Sequence, residues 1–309
     1  MRKWLLLFIL IGLVSITGRG RGAHIEKVRK PVVAGMFYPS DPHELRRMVE
    51  VYIGNAGKTR IDGRIIALIS PHAGYQYSGQ VAAYAYTLVE GIDFDDVIVI
   101  APSHRVDFFG ASIYDGEGYE TPLGIVPIDR ELSRRIYQQS TIIDFIPQAH
   151  AREHSIEVQL PFLQRVLKRF NFVPMVMGPT WNFDICRQLS EAVILSIGGK
   201  RVLIIASSDL THSYNYRQVV AQDEILARHI DQFDIDGLAE DLREGRCQAC
   251  GEGPILSAMI AAKTLGGDKG KVLKLTNSGD VTGDKRPGNY TVGYLAGVFY
   301  RSGIREERP

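Results

Sequence analysis

Three of the eight histidines follow directly on apolar, β-branched runs. Ile65–Ile69 leads into Ser70-Pro71-His72. Val97–Ala101 leads into Pro102-Ser103-His104, and Val202–Ala206 into Ser207-Ser208-Asp209-Leu210-Thr211-His212. Imidazole is a common metal ligand and the side chain whose proton affinity falls nearest neutrality. One histidine after a strand is usually a surface or capping residue. Three at equivalent positions point to one crevice, because open α/β sheets bind ligands beyond the carboxyl ends of their strands. Pro71 and Pro102 restrict the backbone beside their histidines and end ladder pairing, which holds the side chains at the sheet rim. Gly74 and Gly79 permit a tight turn into the next helix, with Tyr75 and Tyr77 as candidate pocket walls.

Two further groups carry chemistry. Cys250 precedes Gly251-Glu252-Gly253-Pro254 and an apolar helix, Ile255–Leu265. Proximity to a helix N-terminus favours a thiolate, the form that binds metal. Glu153-His154-Ser155-Ile156-Glu157 opens another helix. There His154 and Glu157, three apart, share a face as a candidate acid–base pair, or else cap the helix start. In the segment after the third strand, Asp209 and His212 have the same spacing, with His212 the candidate acid–base group and Asp209 the residue that would set its tautomer. G-x-S-x-G, Walker and G-x-G-x-x-G signatures are absent, as is H-E-x-x-H.

These residues need a scaffold. Strands are expected at Ile65–Ile69, Val97–Ala101, Phe172–Met177, Val202–Ala206, Val272–Thr276 and Thr291–Phe299. Helices are expected over 42–53, 78–90, 129–139, 154–169, 183–197, 217–231 and 253–265. A small hairpin excursion is expected within 111–128, around Asp115-Gly116 and Pro122-Leu123-Gly124. Such alternation predicts an α/β fold, a single domain with a mixed, largely parallel central sheet flanked by helices. No linker divides the chain, so the domain is taken as residues 25–305.

The 309 residues are 45% hydrophobic and 23% charged, enough to bury a sizeable core. Residues 1–24 stand apart: Arg2 and Lys3 precede an apolar run from Trp4 to Ile16, which suits a signal peptide or membrane anchor followed by a spacer. This predicts an exported protein, soluble or attached to the membrane by its N-terminal segment. That segment holds four basic residues and no acid, which leaves 32 basic against 35 acidic residues in the rest. No electrostatic ground for a nucleic-acid partner follows. Three cysteines do not make a disulfide framework; in an oxidising compartment Cys247 and Cys250 could pair, whereas Cys186 sits in an amphipathic helix as a core residue.

The segments Arg29-Lys30-Pro31-Val32-Val33-Ala34-Gly35-Met36-Phe37-Tyr38-Pro39, Ser70-Pro71-His72-Ala73-Gly74-Tyr75, Ala101-Pro102-Ser103-His104, Glu153-His154-Ser155-Ile156-Glu157, Ser207-Ser208-Asp209-Leu210-Thr211-His212, Cys250-Gly251 and Thr291-Val292-Gly293-Tyr294 occur in this order. In them the chain resembles the Memo family, including bacterial members called AmmeMemoRadiSam system protein B. The resemblance implies a fold like that of class III non-haem iron extradiol dioxygenases. It also implies one metal ion, iron or copper with zinc as a further option, on His72, His104 and Cys250. Asp209 and His212 match pocket residues of the same family pattern. A thiolate in place of a carboxylate departs from ordinary ring-cleaving sites. Three functions follow from this: a metal-dependent redox enzyme acting on a small molecule, a non-catalytic metal- or peptide-binding scaffold, and a metallohydrolase.

Overall fold

The computed structural model describes residues 27–57 and 59–304, and the segment 1–24 lies outside them. Twelve strands are described: β1 (Val28–Arg29), β2 (Gly63–Ser70), β3 (Asp96–Pro102), β4 (Ala111–Ile113), β5 (Gly118–Thr121), β6 (Gly124–Pro127), β7 (Ile143–Asp144), β8 (Asn171–Met177), β9 (Val202–Ser207), β10 (His212–Ser213), β11 (Lys269–Asn277) and β12 (Thr291–Ser302). The helices that matter here are α1 (Pro42–Ala56), α2 (Tyr75–Tyr86), α3 (Arg130–Gln139), α4 (Pro147–Ala151), α5 (Leu160–Val166), α6 (Phe183–Ile197), α7 (Tyr216–Gln232), α8 (Ile235–Arg243), α9 (Glu252–Thr264) and α10 (Ser278–Thr282).

The main sheet runs in the order β10-β12-β2-β9-β3-β8-β4-β7, with β11 paired to β12. Its centre, β2-β9-β3-β8, is parallel; β12 and β4 flank it antiparallel. The four central strands are nearly continuous runs of Val, Ile, Leu and Met and are buried on both faces, the pattern that parallel strands between helical layers require. Along β3 the faces alternate. Val97, Val99 and Ala101 join the core beneath α1, α2 and α5, whereas Ile98 and Ile100 join the core beneath α6, α7 and α9.

Register puts the strand ends level. Ser70 of β2 pairs with Ser207 of β9, and Ile100 of β3 pairs with Ala206. The residues that follow β2, β3 and β9 therefore leave the sheet at one edge.

The hairpin excursion takes a different form from the one expected. Ala111–Ile113 joins the main sheet beside β8, because its three side chains are buried there. The hairpin proper is β5–β6 around Pro122-Leu123, and β1 adds to it in parallel, giving a separate three-stranded sheet. Among the described residues no helix is long and apolar enough to cross a membrane.

Candidate metal centre

The rim of the parallel sheet brings His72, His104 and His154 together. Their ring centroids lie 4.8–5.5 Å apart, and one potential ligand atom from each falls within 4.8 Å of the others. Three imidazole nitrogens about 2.1 Å from one ion can be at most roughly 4.2 Å apart, so a metal fits after small side-chain adjustment. His72 is buried, His104 is exposed, and His154 is half-buried at the border of a cleft.

Two of the three rings are held from behind. His72 Nδ1 lies 2.9 Å from Ser207 Oγ. His104 Nδ1 lies 2.9 Å from Glu153 Oε1, and Glu153 Oε2 accepts the His104 backbone N–H at 2.6 Å. Glu153 also accepts the backbone N–H groups of His154 and Ser155. Burial opposes its ionisation, but the bonds from His104 and the backbone prevail and draw its pKa down to about 2. The Nδ1 atoms of His72 and His104 are thus engaged by Ser207 and Glu153, which leaves Nε2 for a ligand. Nδ1 of His154 is buried, 3.2 Å from Glu153 Oε1 but without a hydrogen bond. Desolvation, opposed by Glu153, lowers the His154 pKa to about 4, so its ring is neutral near pH 7, the state that binds metal.

Cys250 reaches this group through His72: its Sγ is 3.1 Å from His72 Nε2. The turn that carries it packs hard on the end of β9. A Cβ on Gly251 would come within 2.7 Å of Ser207 O and Ser208 Cβ, so only glycine allows the approach. The expected thiolate is not favoured by the groups around Cys250. Burial, and then the Asp209 carboxyl, push the thiol well above its usual range, outweighing the N–H that Asp209 donates to the sulfur. Cys186, Cys247 and Cys250 are free thiols.

Two expected pairings do not form. Asp209 does not orient His212; its Oδ1 accepts the backbone N–H groups of His72, at 2.7 Å, and Ala73. The carboxylate pins the loop after β2, and burial raises its pKa to about 7. His212 lies on β10, exposed towards the cleft, 6.0 Å from the Tyr290 ring. Glu157 does not pair with His154. It is fully buried, ion-paired with Arg29, and accepts from Val32 N, Val33 N and Tyr38 Oη. Its helical spacing from His154 is broken because residues 154–156 form a turn before the short 3-10 helix at Glu157–Gln159.

Glu153 was the missed residue. It stands in the same five-residue segment, but its role depends on His104, 49 positions away. Arg29 completes the support: Nε bonds His150 O at 3.0 Å, and Nη2 bonds Glu153 O. Of the two tyrosines after Gly74, Tyr77 lines the cleft, whereas Tyr75 is buried with its hydroxyl on Val158 O.

The cleft has a volume of about 620 Å³. His154, Asp209 and His212 border it, with Phe37, Tyr77 and Tyr290 among its walls.

Comparison with known proteins agrees with this architecture. Residues 29–298 match the family described as Memo-like protein. A MEMO1 family protein of Nitrosopumilus maritimus is 36% identical over 277 residues, covering 88% of this chain and 99% of its own length. One of Methanopyrus kandleri is 37% identical, with the same coverage, and one of Methanocaldococcus jannaschii is 36% identical over 91% of this chain and 100% of its own. The crystal structure of an uncharacterized protein from Escherichia coli K12 superposes with a TM-score of 0.50 at 14% identity, over 77% of this chain and all of that one, a likeness of fold alone. On the extent of the family match and the identity of these relatives, the chain belongs to the Memo-like protein family.

Proposed function

We propose that the protein holds one iron or copper ion at His72 and His104, with Cys250 and His154 completing the donor set, and uses it in redox chemistry on a small molecule bound in the cleft. The observation that carries this reading is the grouping of His72, His104 and His154, with Nδ1 of His72 and of His104 engaged by Ser207 and Glu153 and His72 Nε2 3.1 Å from the Cys250 sulfur. An imidazole and thiolate set suits iron or copper and, with positions left open, would supply a redox-active centre accessible to a substrate.

The chain's own residues do the rest. Glu153 and Ser207 orient the two rings. Asp209 fixes the loop that carries His72, and His212, which borders the cleft, would move a proton there. Desolvation, and then the positive charge of the neighbouring His104 imidazole, lower the His212 pKa, which favours its neutral, proton-accepting form. Glu153 does not complete a two-histidine, one-carboxylate set, because its oxygens are committed to His104, His154 and Ser155.

Oxygen consumption by iron- or copper-loaded protein with a reductant or a catechol panel tests the reading. Rates above free metal that fall in His212→Ala support it; rates equal to free metal overturn it. A second reading, a metal-dependent peptide-binding scaffold, is favoured by exposed Met36 and Tyr290 among the residues bordering the cleft. Residues 1–24 add the reading that the protein is exported, soluble or membrane-attached.

A further inference from the structure

A chain of buried hydrogen bonds runs behind His72. Tyr86 Oη donates to Gln159 Oε1 at 2.7 Å. Gln159 Nε2 donates to Pro71 O at 3.0 Å and to Ser207 Oγ at 2.7 Å. Ser207 Oγ lies 2.6 Å from Ser155 O and 2.9 Å from His72 Nδ1. Ser70, His72, Tyr86, Ser155, Gln159 and Ser207 are all buried.

The direction of each bond is forced. Pro71 O and Ser155 O are carbonyls and can only accept. Gln159 must therefore present its NH2 to Pro71 and Ser207, which leaves its carbonyl oxygen to Tyr86. Ser207 has one hydroxyl hydrogen and two lone pairs. The hydrogen is committed to Ser155 O, and Gln159 fills one lone pair. The remaining lone pair can only accept, so the proton between Ser207 and His72 belongs to the ring.

We propose that Ser207, with its hydroxyl direction set by Ser155 O and Gln159, is a positioning residue that holds His72 as the Nδ1–H tautomer with the Nε2 lone pair presented to Cys250 Sγ, 3.1 Å away, at the candidate metal centre. A histidine free to choose would spend part of its time with the hydrogen on Nε2, where it blocks a ligand bond. Pre-selection removes that competing state. The consequence for metal affinity rests on the metal-centre reading above; the tautomer itself does not.

Long-range proton–nitrogen correlations on metal-free, nitrogen-labelled protein distinguish the two tautomers, and His72→Gln identifies the His72 signal. The expected wild-type spectrum has His72 protonated at Nδ1 and bare at Nε2. In Ser207→Ala that fixed form is lost, and zinc affinity, measured by chelator competition, falls about 10–100-fold. Ser207→Thr, which keeps the hydroxyl, restores both. A wild-type His72 protonated at Nε2 overturns the proposal even if no Ser207 variant folds. Unchanged tautomer and affinity in a folded Ser207→Ala also overturn it. A wild type with the expected tautomer that binds neither zinc, iron nor copper supports the tautomer lock and contradicts the metal-centre reading.

Discussion

Glu153 holds His104 twice, by the ring at 2.9 Å and by the backbone N–H at 2.6 Å. Both contacts come from one carboxylate, and both weaken if it becomes an amide. Glu153→Gln is expected to reduce metal affinity about 10–100-fold by chelator competition. The acid limb of stability also changes. The Glu153 pKa is depressed from 4.5 to about 2, so its contribution is present above pH 4.5 and is lost as pH falls through 2. Denaturant midpoints measured between pH 5 and pH 2 should fall more steeply for the wild type than for Glu153→Gln. Parallel curves would contradict the assigned role.

Arg29 and Glu157 form a buried pair that ties the first described residues to the loop carrying Glu153 and His154. Removing one partner strands a charge away from water, at about 3–5 kcal/mol. Glu157→Ala should therefore lower unfolding free energy by that amount in urea titrations. A stable Glu157→Ala with altered turnover would restore the acid–base assignment that the geometry disfavours.

Asp223 on α7 accepts the backbone N–H of Thr211 at 3.1 Å, beneath the strand of His212. Burial raises its pKa from 3.8 to about 7. Between these values the unfolded chain has released the proton and the folded one retains it, so stability declines as pH rises from about 4 to 7, by at most ~1.4 kcal/mol per pH unit. Asp223→Asn should remove this part of the decline in urea midpoints across that range. A variant whose profile runs parallel to the wild type would show that Asp223 does not titrate there.

Arg2, Lys3 and the apolar run Trp4–Ile16 predict export. Cell fractionation should recover the protein outside the cytoplasm, in soluble or membrane-attached form. Recovery of the intact chain from soluble cytosol would contradict this.

The scaffold was legible because it rests on local pattern. All six expected strands are present as β2, β3, β8, β9, β11 and β12, since continuous apolar runs between turn residues have few other uses. Expected helix 183–197 is α6, bounded by the Asn182 cap and by left-handed Gly198. By contrast, α8 was missed: Gly237 weakens its helical pattern, and its start depends on the Asp234 side chain accepting Gly237 N. The convergence of His72 and His104 was legible for the same reason, as both follow parallel strands. The partners of the carboxylates were not. Glu157 pairs with Arg29, 128 positions away, and Asp209 with His72, 137 away. Helical spacing suggested nearer partners, but His154 lies outside the 3-10 helix that begins at Glu157, and the Asp209–His212 segment is not helical.

Metal content per chain, determined on protein purified without oxygen, tests the central claim most directly. The wild type is expected to carry one iron or copper ion, His72→Ala and His104→Ala to carry none while keeping their circular dichroism, and Cys250→Ala and His154→Ala to bind more weakly. A wild type without stoichiometric metal, or full occupancy in folded His72→Ala, would contradict it.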